Sequence, residues 1–198
     1  MNIEHPIAVD LDGTLCHTDT LFEGLVALLR SKPLVFLKSL TLIGDRARLK
    51  HFVFSHTQID PQSLPWNEPL IDYLRQQKAS GRSIVLVTAA NEVVAQTVAK
   101  HLDLFDQVLA SSEKINLKGP AKVYELCAVF GERKFVYAGD ARADFSVWAH
   151  AGAAIVVGNL TPVYRSGEPV PIESRFPADQ QTSSRKIFLR TYMWLVDR

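Results

Sequence analysis

The sequence predicts an α/β protein with a doubly wound parallel sheet and a small helical cap inserted after the first strand. Beyond residue 67, short apolar runs alternate with segments of helical periodicity, which indicates strands and helices in alternation. About 50 residues separate the first apolar run from the next element of the core, and so long an insertion between strands usually has a function. We interpret it as a cap over a site. We therefore assign residues 1–16 and 67–158 to the core, residues 17–66 to the cap, and residues 159–198 to a linker and a terminal segment.

The composition limits the class of protein. At 198 residues, with 47% hydrophobic and 22% charged residues, the chain suits a globular protein of ordinary domain size. A formal net charge of +1 predicts no nucleic-acid partner. Cys16 and Cys127 form no recognisable disulfide or metal pattern, and the first residues do not resemble a secretory signal. We expect a cytoplasmic protein.

The first strand leads directly into two carboxylates. The apolar run at residues 6–9 predicts a buried strand, and Asp10 and Asp12 follow it. Like charges this close disfavour joint ionisation, so a divalent cation is expected, and oxygen ligands suit Mg²⁺. Gly13 permits a sharp turn and a close approach of the backbone to a ligand, and Thr14 adds a hydroxyl group.

The cap is predicted to be helical. Residues 20–30, 33–43 and 46–54 indicate three helices, with Pro33 well placed at a helix start. Packing within the cap is the favoured role of its apolar residues. The alternative is that residues 34–37, beside Lys32 and Lys38, lie on a membrane interface.

The remaining elements alternate in the way that a parallel sheet requires. In order, we predict a helix from Asn67 ending at Gly81, a strand at 83–87, a helix at 91–102, a strand at 107–110, a helix opened by Pro120, and strands at 135–138 and 153–157.

Polar residues follow the predicted strands. They are Asp10 and Asp12, then Thr88, then Lys118 in the next loop, then Asp140 and Asp144. Right-handed crossovers bring the carboxyl ends of parallel strands to one edge of the sheet, where ligands bind in such folds. The sequence therefore predicts one site at that edge.

These motifs together resemble the haloacid dehalogenase superfamily of phosphohydrolases. They are Asp-Leu-Asp-Gly-Thr-Leu at 10–15, Val-Thr-Ala at 87–89, Lys118, and Gly-Asp-x-x-x-Asp at 139–144. The resemblance covers about residues 5–158. It implies a Rossmann-like core of the haloacid dehalogenase type and Mg²⁺ as cofactor.

The resemblance also implies roles for single residues. Asp10 would be the nucleophile and Asp12 the general acid and base, with Mg²⁺ held by Asp10, the Asp12 carbonyl, Asp140 and Asp144. Thr88 and Lys118 would bind the phosphoryl oxygens, and Gly13, Thr14 and Ala89 would line the substrate site. Lys122 is a rival to Lys118. We prefer Lys118 because it lies in the loop, whereas Lys122 falls in the first turn of the following helix.

Three functions remain open on the sequence. Asp12 favours hydrolysis of a small or lipid-linked phosphomonoester, because family members that dehalogenate carbon substrates lack this second carboxylate. Mutases keep both carboxylates, so intramolecular phosphotransfer is an alternative. A domain that binds phosphate and metal without catalysis is the third.

The end of the chain suggests a membrane partner. Residues 158–184 are rich in Pro, Ser and Gly, and residues 185–196 form a basic, aromatic and amphipathic segment. A terminal helix packed on the core is the simplest interpretation. The motif spacing and this tail also resemble the phosphatase-type domain that precedes membrane prenyltransferases of the UbiA type, which implies a membrane domain next in the chain and a location at the cytoplasmic membrane face.

Overall fold

The structure, a computed structural model, describes residues 5–112 and 116–178, without the side chains of residues 46 and 47. The basic aromatic tail at 185–196 lies outside the described residues, so its interpretation stays a prediction.

Within the described residues, six parallel strands form a single sheet in the order β3-β2-β1-β4-β5-β6. They are β1 (Ile7–Val9), β2 (Ile84–Asn91), β3 (Gln107–Ser111), β4 (Val136–Gly139), β5 (Ala153–Val157) and β6 (Ile172–Phe176). The chain begins in the middle of the sheet, moves to one edge through β2 and β3, and then builds the other half. This order confirms the predicted doubly wound sheet.

Seven helices are described in these two segments of the chain. They are α1 (Thr20–Ser31), α2 (Pro33–Ser39), α3 (Arg46–His56), α4 (Glu68–Ala79), α5 (Glu92–Leu102), α6 (Pro120–Phe130) and α7 (Phe145–Trp148). None of these described helices is long and apolar enough to cross a lipid bilayer.

The two faces of the sheet are buried under different helices. Val9 and Leu86 pack in a cluster with Leu70 of α4 and Val98 of α5. The neighbouring strand positions point the other way, because successive side chains alternate between faces. They form a second cluster that includes Leu126 of α6 and Trp148 of α7. Helices therefore cover both faces, and the polar groups of the site remain at the strand ends.

Helices α1, α2 and α3 lie between β1 and β2 in the sequence and have a small core of their own. Leu21, Leu25 and Leu28 of α1 pack on Leu49 and Val53 of α3. Asp19 accepts hydrogen bonds from the first backbone N–H groups of α1, and Asp45 does the same for α3. These three helices, called the helical block below, therefore pack on one another, as expected for the apolar residues of the cap.

Strand β6 lies within residues that the sequence assigned to a linker. It pairs in parallel with β5, although most of its residues are exposed or half-buried. Residues 172–176 contain no continuous apolar run, since an edge strand buries little of its surface. The local sequence therefore does not identify this strand, which is held in place by contacts with segments distant in the chain.

Candidate active site

The predicted site residues meet at the carboxyl ends of the central strands. Asp10 follows β1, Asp140 follows β4, and Thr88 lies in the last half of β2. These strands are neighbours, because β1 pairs with both β2 and β4. A cavity of ≈ 1040 Å³ opens there, lined among others by Asp10, Asp12, Thr88, Ala89, Lys118, Lys122, Asp140 and Asp144.

Asp10 is paired with Lys122. The Nζ atom of Lys122 donates to Asp10 Oδ1 at 2.9 Å and to the hydroxyl of Tyr137 at 3.1 Å. The Lys122 side chain is only 6% exposed. Such a buried ammonium group needs a negative partner, and Asp10 provides it. The first turn of α6 therefore carries a cation into the site.

This contact favours Lys122 over Lys118 as the lysine that meets Asp10, against the preference drawn from the sequence. Lys118 lines the cavity, but its side chain is exposed at the rim. The sequence argument assumed that a helical residue points away from the site. Side chains in the first turn of a helix that starts at the sheet edge can instead reach the strand ends, and a long lysine does so here.

Asp144 is built into the same network. Its Oδ2 accepts hydrogen bonds from the backbone N–H groups of Asp140 and Ala141 at 3.1 and 2.9 Å, and its Oδ1 accepts from the Tyr137 hydroxyl at 2.8 Å. Burial, and then the negative charge of Asp10, raise the pKa of Asp144 to about 6. Burial and the same carboxylates raise the pKa of Tyr137 well above its usual range. Tyr137 therefore stays a hydrogen-bond donor.

Asp140 occupies a space that only glycine leaves open. Gly13 has φ +85°, and a Cβ atom there would lie 2.5 Å from a carboxylate oxygen of Asp140. Thr14 is buried and donates its hydroxyl to Asp140 Oδ1 at 3.3 Å. Both residues were predicted to line the substrate site, and in the structure they shape the position of Asp140.

Three carboxylates fit a hard cation. One oxygen from each of Asp10, Asp140 and Asp144 lies within 4.8 Å of the others. An all-oxygen set of this kind suits Mg²⁺, which usually takes only a few carboxylate ligands. Burial raises the pKa of Asp144 most, and the charge of Asp10 adds a repulsion that a cation would relieve. The residues present therefore fit the predicted metal.

Asp12 has a different environment from these three carboxylates. Its Oδ1 accepts a hydrogen bond from the backbone N–H of Thr20 at 2.9 Å, at the start of α1. Loss of water around the carboxyl group, together with the charges of Asp19 and Asp10, raises the pKa of Asp12 to about 7. A carboxyl group with this pKa can both donate and accept a proton near neutral pH.

The end of β2 presents main-chain and hydroxyl groups to the cavity. Thr88 is buried, and its Oγ1 accepts from the N–H of Ala90 at 2.9 Å. The carbonyl of Ala89 accepts from Lys50 Nζ of α3 at 2.6 Å and from the Ser111 hydroxyl at 3.1 Å. The helical block thus contacts the core at the site itself.

Sequence reasoning missed Tyr137 and the polar face of α3. Tyr137 lies in an apolar strand, and no pattern in the neighbouring residues indicates a role in the site. Its hydroxyl contacts Lys122 and Asp144 only in the folded chain. Lys50 and Arg48 stand in a helix that the sequence assigned only to the cap, and their lining of the cavity follows from how α3 sits on β2.

The fold and the site define an α/β protein that gathers carboxylates and a lysine at the strand ends. The family model of haloacid dehalogenase-like hydrolases matches residues 34–148, more than half of the chain. The chain belongs to this family, and the resemblance that the motifs suggested is confirmed.

One relative and several solved structures are similar to the chain. The uncharacterized protein y4nM of Sinorhizobium fredii (strain NBRC 101917 / NGR234) is 36% identical over 155 residues, which cover 78% of this chain. The chain spans only 30% of the length of that relative.

Three solved structures share the fold. A phosphoserine phosphatase has a TM-score of 0.57 and 16% identity over 92% of this chain and 98% of its own. A predicted phosphoglycolate phosphatase of Haemophilus somnus 129PT has a TM-score of 0.56 and 21% identity over 95% and 99%. A dehalogenase has a TM-score of 0.54 and 16% identity over 96% and 98%. One fold therefore serves different reactions, and the site has to decide between them.

Proposed function

We propose that the chain hydrolyses phosphomonoesters, with Asp10 as the nucleophile. The observation that carries the proposal is the position of Asp10, which pairs with Lys122 at 2.9 Å and lies within 4.8 Å of the Asp140 and Asp144 carboxylates. An ionised carboxylate held between a cation and a metal-binding cluster suits attack on phosphorus. Phosphatases are also among the structures that share this fold.

The reaction takes two steps. An Asp10 oxygen attacks phosphorus while the bond from phosphorus to the ester oxygen breaks, which leaves an aspartyl-phosphate and a free alcohol. Asp12 gives its proton to the leaving oxygen. A water then attacks the aspartyl-phosphate, Asp12 takes the proton of that water, and phosphate and Asp10 are released. The raised pKa of Asp12, about 7, supports both of its roles.

The phosphoryl oxygens need positive and hydrogen-bonding partners. Asp10, Asp140 and Asp144 would hold Mg²⁺, which when bound neutralises charge on the phosphoryl group and on the carboxylates. Lys122 and the Thr88 hydroxyl line the same cavity and would contact the phosphoryl oxygens. Lys118, at the rim, would meet the outer part of the substrate.

Asp12 favours hydrolysis of phosphate esters over dehalogenation. The family resemblance implies that members acting on carbon–halogen bonds lack a carboxylate at this position. Here Asp12 lines the cavity. A general acid is needed when an alkoxide leaves and is not needed when a halide leaves.

The substrate class includes lipid-linked phosphates as an alternative to small ones. Leu34 and Leu37 of α2 are 76% and 58% exposed, and Leu29 at the end of α1 is 48% exposed. Lys32 and Lys38 flank these leucines and are exposed as well. Exposed apolar side chains bordered by cations favour contact with an anionic lipid surface. This supports a place at a membrane face.

A single assay tests the proposal. An aryl phosphate is offered to the wild type and to Asp10→Asn, with Mg²⁺ and with a chelator, and Asp72→Asn, on the exposed side of α4, is the control. We expect turnover only with Mg²⁺ and an intact Asp10, and wild-type turnover for Asp72→Asn. Equal turnover by wild type and Asp10→Asn would reject the proposal.

The same assay separates the alternatives. Polyprenyl phosphate in detergent replaces the aryl phosphate to test a lipid-linked substrate. Isomerisation of a sugar phosphate without phosphate release would identify a mutase. Binding of phosphate and Mg²⁺ with no turnover of any ester would identify a non-catalytic domain.

A further inference from the structure

Tyr137 has a fixed position in the middle of the sheet. It lies in β4, it is paired with Ala8 of β1 and Ala154 of β5, and it has no exposed surface. The indole N–H of Trp148 donates to the Tyr137 carbonyl at 2.9 Å, and the two rings pack edge to face with 6.1 Å between their centroids. The ring therefore has one defined orientation, and the place of its hydroxyl group is fixed by the packing around it.

The hydroxyl group of Tyr137 makes two hydrogen bonds of opposite direction. A phenol keeps its proton at neutral pH, and here it donates that proton to Asp144 Oδ1 at 2.8 Å. The oxygen then has only lone pairs left for other contacts, and Nζ of Lys122 donates to it at 3.1 Å. The bond to Asp144 therefore makes the hydroxyl group an acceptor on the side of Lys122.

The ammonium group of Lys122 is fixed by two acceptors. It donates to Asp10 Oδ1 at 2.9 Å as well as to the hydroxyl of Tyr137. A lysine side chain is flexible, so a single contact with one carboxylate oxygen would still let the ammonium group rotate about that oxygen. The second acceptor removes this freedom. An ammonium group has three N–H donors, so one remains beyond these two contacts for a ligand in the cavity that Lys122 lines.

The approach of Tyr137 to Asp144 depends on Gly139, two positions further along β4. Side chains at 137 and 139 point to the same face of the sheet, because successive residues of a strand alternate. A Cβ atom at Gly139 would lie 2.9 Å from a ring carbon of Tyr137 and 2.8 Å from the carboxyl group of Asp144. Glycine at this position therefore leaves the space in which the ring and the carboxylate meet.

Packing alone does not require the contact with Lys122. A buried tyrosine needs a partner for its hydroxyl group, and Asp144 already provides one. Lys122 lines the cavity, whereas Tyr137 does not. Tyr137 is therefore placed to act on the site through Lys122 and not by touching a ligand.

We propose that Tyr137 is a positioning residue that holds the Lys122 ammonium group in place for a phosphoryl group at Asp10. This inference rests on the proposed phosphatase function. It adds a residue that supports the reaction from behind the wall of the cavity.

Tyr137→Phe tests the role of the hydroxyl group. The substitution keeps the ring, its packing on Trp148 and its contact with the Lys122 ammonium group, which lies 5.5 Å from the ring centroid. With an aryl phosphate and saturating Mg²⁺ we expect kcat and kcat/KM to fall together by about tenfold, because Lys122 is no longer held where charge develops in the transition state.

Tyr164→Phe is the matched control for this substitution. The Tyr164 hydroxyl is partly buried and donates to the Gly152 carbonyl at 3.3 Å, and Tyr164 does not line the cavity. This variant also loses one tyrosine hydroxyl group and its hydrogen bond. We expect it to keep wild-type kcat and KM.

A double-mutant cycle separates positioning from a general structural role. If the hydroxyl group acts through Lys122, its removal has nothing left to disturb in a Lys122→Met chain. Adding Tyr137→Phe to Lys122→Met should therefore lower kcat by less than about twofold, against about tenfold in the wild type. An equal loss in both backgrounds would overturn the proposal.

The dependence on Mg²⁺ separates action through Lys122 from action through Asp144. A loss of kcat in Tyr137→Phe that persists at saturating Mg²⁺ supports the proposal. Full recovery at high Mg²⁺ would assign the effect to metal binding and overturn it. Thermal unfolding accompanies the kinetics, and a Tyr137→Phe chain that does not fold would assign the hydroxyl group to stability and likewise overturn the positioning role.

The remaining outcomes separate this inference from the function on which it rests. Unchanged kcat in Tyr137→Phe, beside an active wild type, would overturn the positioning role and leave the phosphatase standing. No turnover of the aryl phosphate by the wild type would overturn the proposed function and the positioning role with it.

Discussion

Two lysines four positions apart have very different surroundings, although both line the cavity. Lys122 is buried between Asp10 and Tyr137, whereas Lys118 is exposed at the rim. A buried cation held against Asp10, the proposed nucleophile, would be pre-organised for charge that develops on a phosphoryl group and would need no rearrangement during the reaction. At the scale of the residue, burial and partners decide the role, because the residue type is the same.

Substitution of these lysines gives the first prediction. Lys122→Met should lower kcat for an aryl phosphate by about 10²- to 10³-fold, because one preorganised charge is lost from the site. Lys118→Met should have a much smaller effect on the same substrate. Steady-state kinetics of both variants, with thermal unfolding to verify the fold, make the comparison. A larger loss in Lys118→Met would restore the original sequence-based preference.

At the scale of the element, β6 is attached to the sheet by side chains as well as by its backbone. Glu173 of β6 forms two hydrogen bonds with the Arg82 guanidinium, at 2.6 and 2.8 Å, and accepts another from the Tyr73 hydroxyl at 2.6 Å. Arg82 precedes β2 and its side chain is only 5% exposed. Arg82 also donates to the carbonyl of His5 at 2.6 Å. One buried arginine therefore joins the edge strand to the centre of the sheet.

The pKa of Glu173 makes this attachment sensitive to pH. Burial alone would raise the pKa of Glu173, but the hydrogen bonds from Arg82 and Tyr73 and the charge of Arg82 outweigh it and hold the pKa below its ordinary value of 4.5. Because the pKa of Glu173 is lower in the folded chain than in the unfolded chain, its ionised carboxylate stabilises the fold at pH values above the unfolded-state pKa. This stabilisation is lost as the pH falls through the folded pKa.

The second prediction follows from the lowered pKa of Glu173. Glu173→Gln should lower the free energy of unfolding by about 1–3 kcal/mol at about pH 7, because charge-assisted hydrogen bonds are lost. The difference from wild type should narrow as the pH falls through the folded-state pKa of Glu173 and the wild-type carboxyl group takes up a proton. Urea unfolding over a series of acidic pH values measures this, with the exposed Glu168→Gln as a control that should change little. A difference that persists at low pH would contradict the role of the charge.

At the scale of the whole molecule, the site links segments that are far apart in the chain. The carboxylates that could hold a metal ion come from residue 10 and from residues 140 and 144, at the ends of two adjacent central strands. Carboxylates this close repel one another when ionised. A cation that binds only the folded chain therefore stabilises all the segments that form the cluster.

The third prediction concerns Mg²⁺ and thermal stability. At a Mg²⁺ concentration of 100 times Kd, the folded state should gain about 2.7 kcal/mol. For a chain of this size the gain corresponds to a rise in Tm of roughly 5–10 °C. Calorimetry with Mg²⁺ and with a chelator measures the shift. Asp140→Asn should abolish most of it and Asp72→Asn should retain it; an unchanged Tm in the wild type would count against the metal site.

The sequence was sufficient for most of the architecture. The apolar runs and helical periodicities located β1 to β5 and the helices α4, α5 and α6, because each of these elements buries one continuous face whose apolar residues recur within a short stretch of sequence. The positions of Asp10, Thr88 and Asp140 at strand ends then predicted one site, since parallel strands end at a common edge. Strand β6 was not predicted from the sequence, because it is stabilised by Arg82 and β5, which are remote in sequence.

The sequence by itself determined the doubly wound sheet, the family, and the gathering of the acidic residues at one edge, because local periodicity and the handedness of crossovers leave few other arrangements. Only the tertiary structure decided that Lys122 reaches Asp10, that Tyr137 bridges Lys122 to Asp144, and that the basic face of α3 meets the cavity. These outcomes depend on how a helix is rotated and docked against its neighbours. No short stretch of residues encodes that rotation, because it is set by contacts between segments distant in the chain.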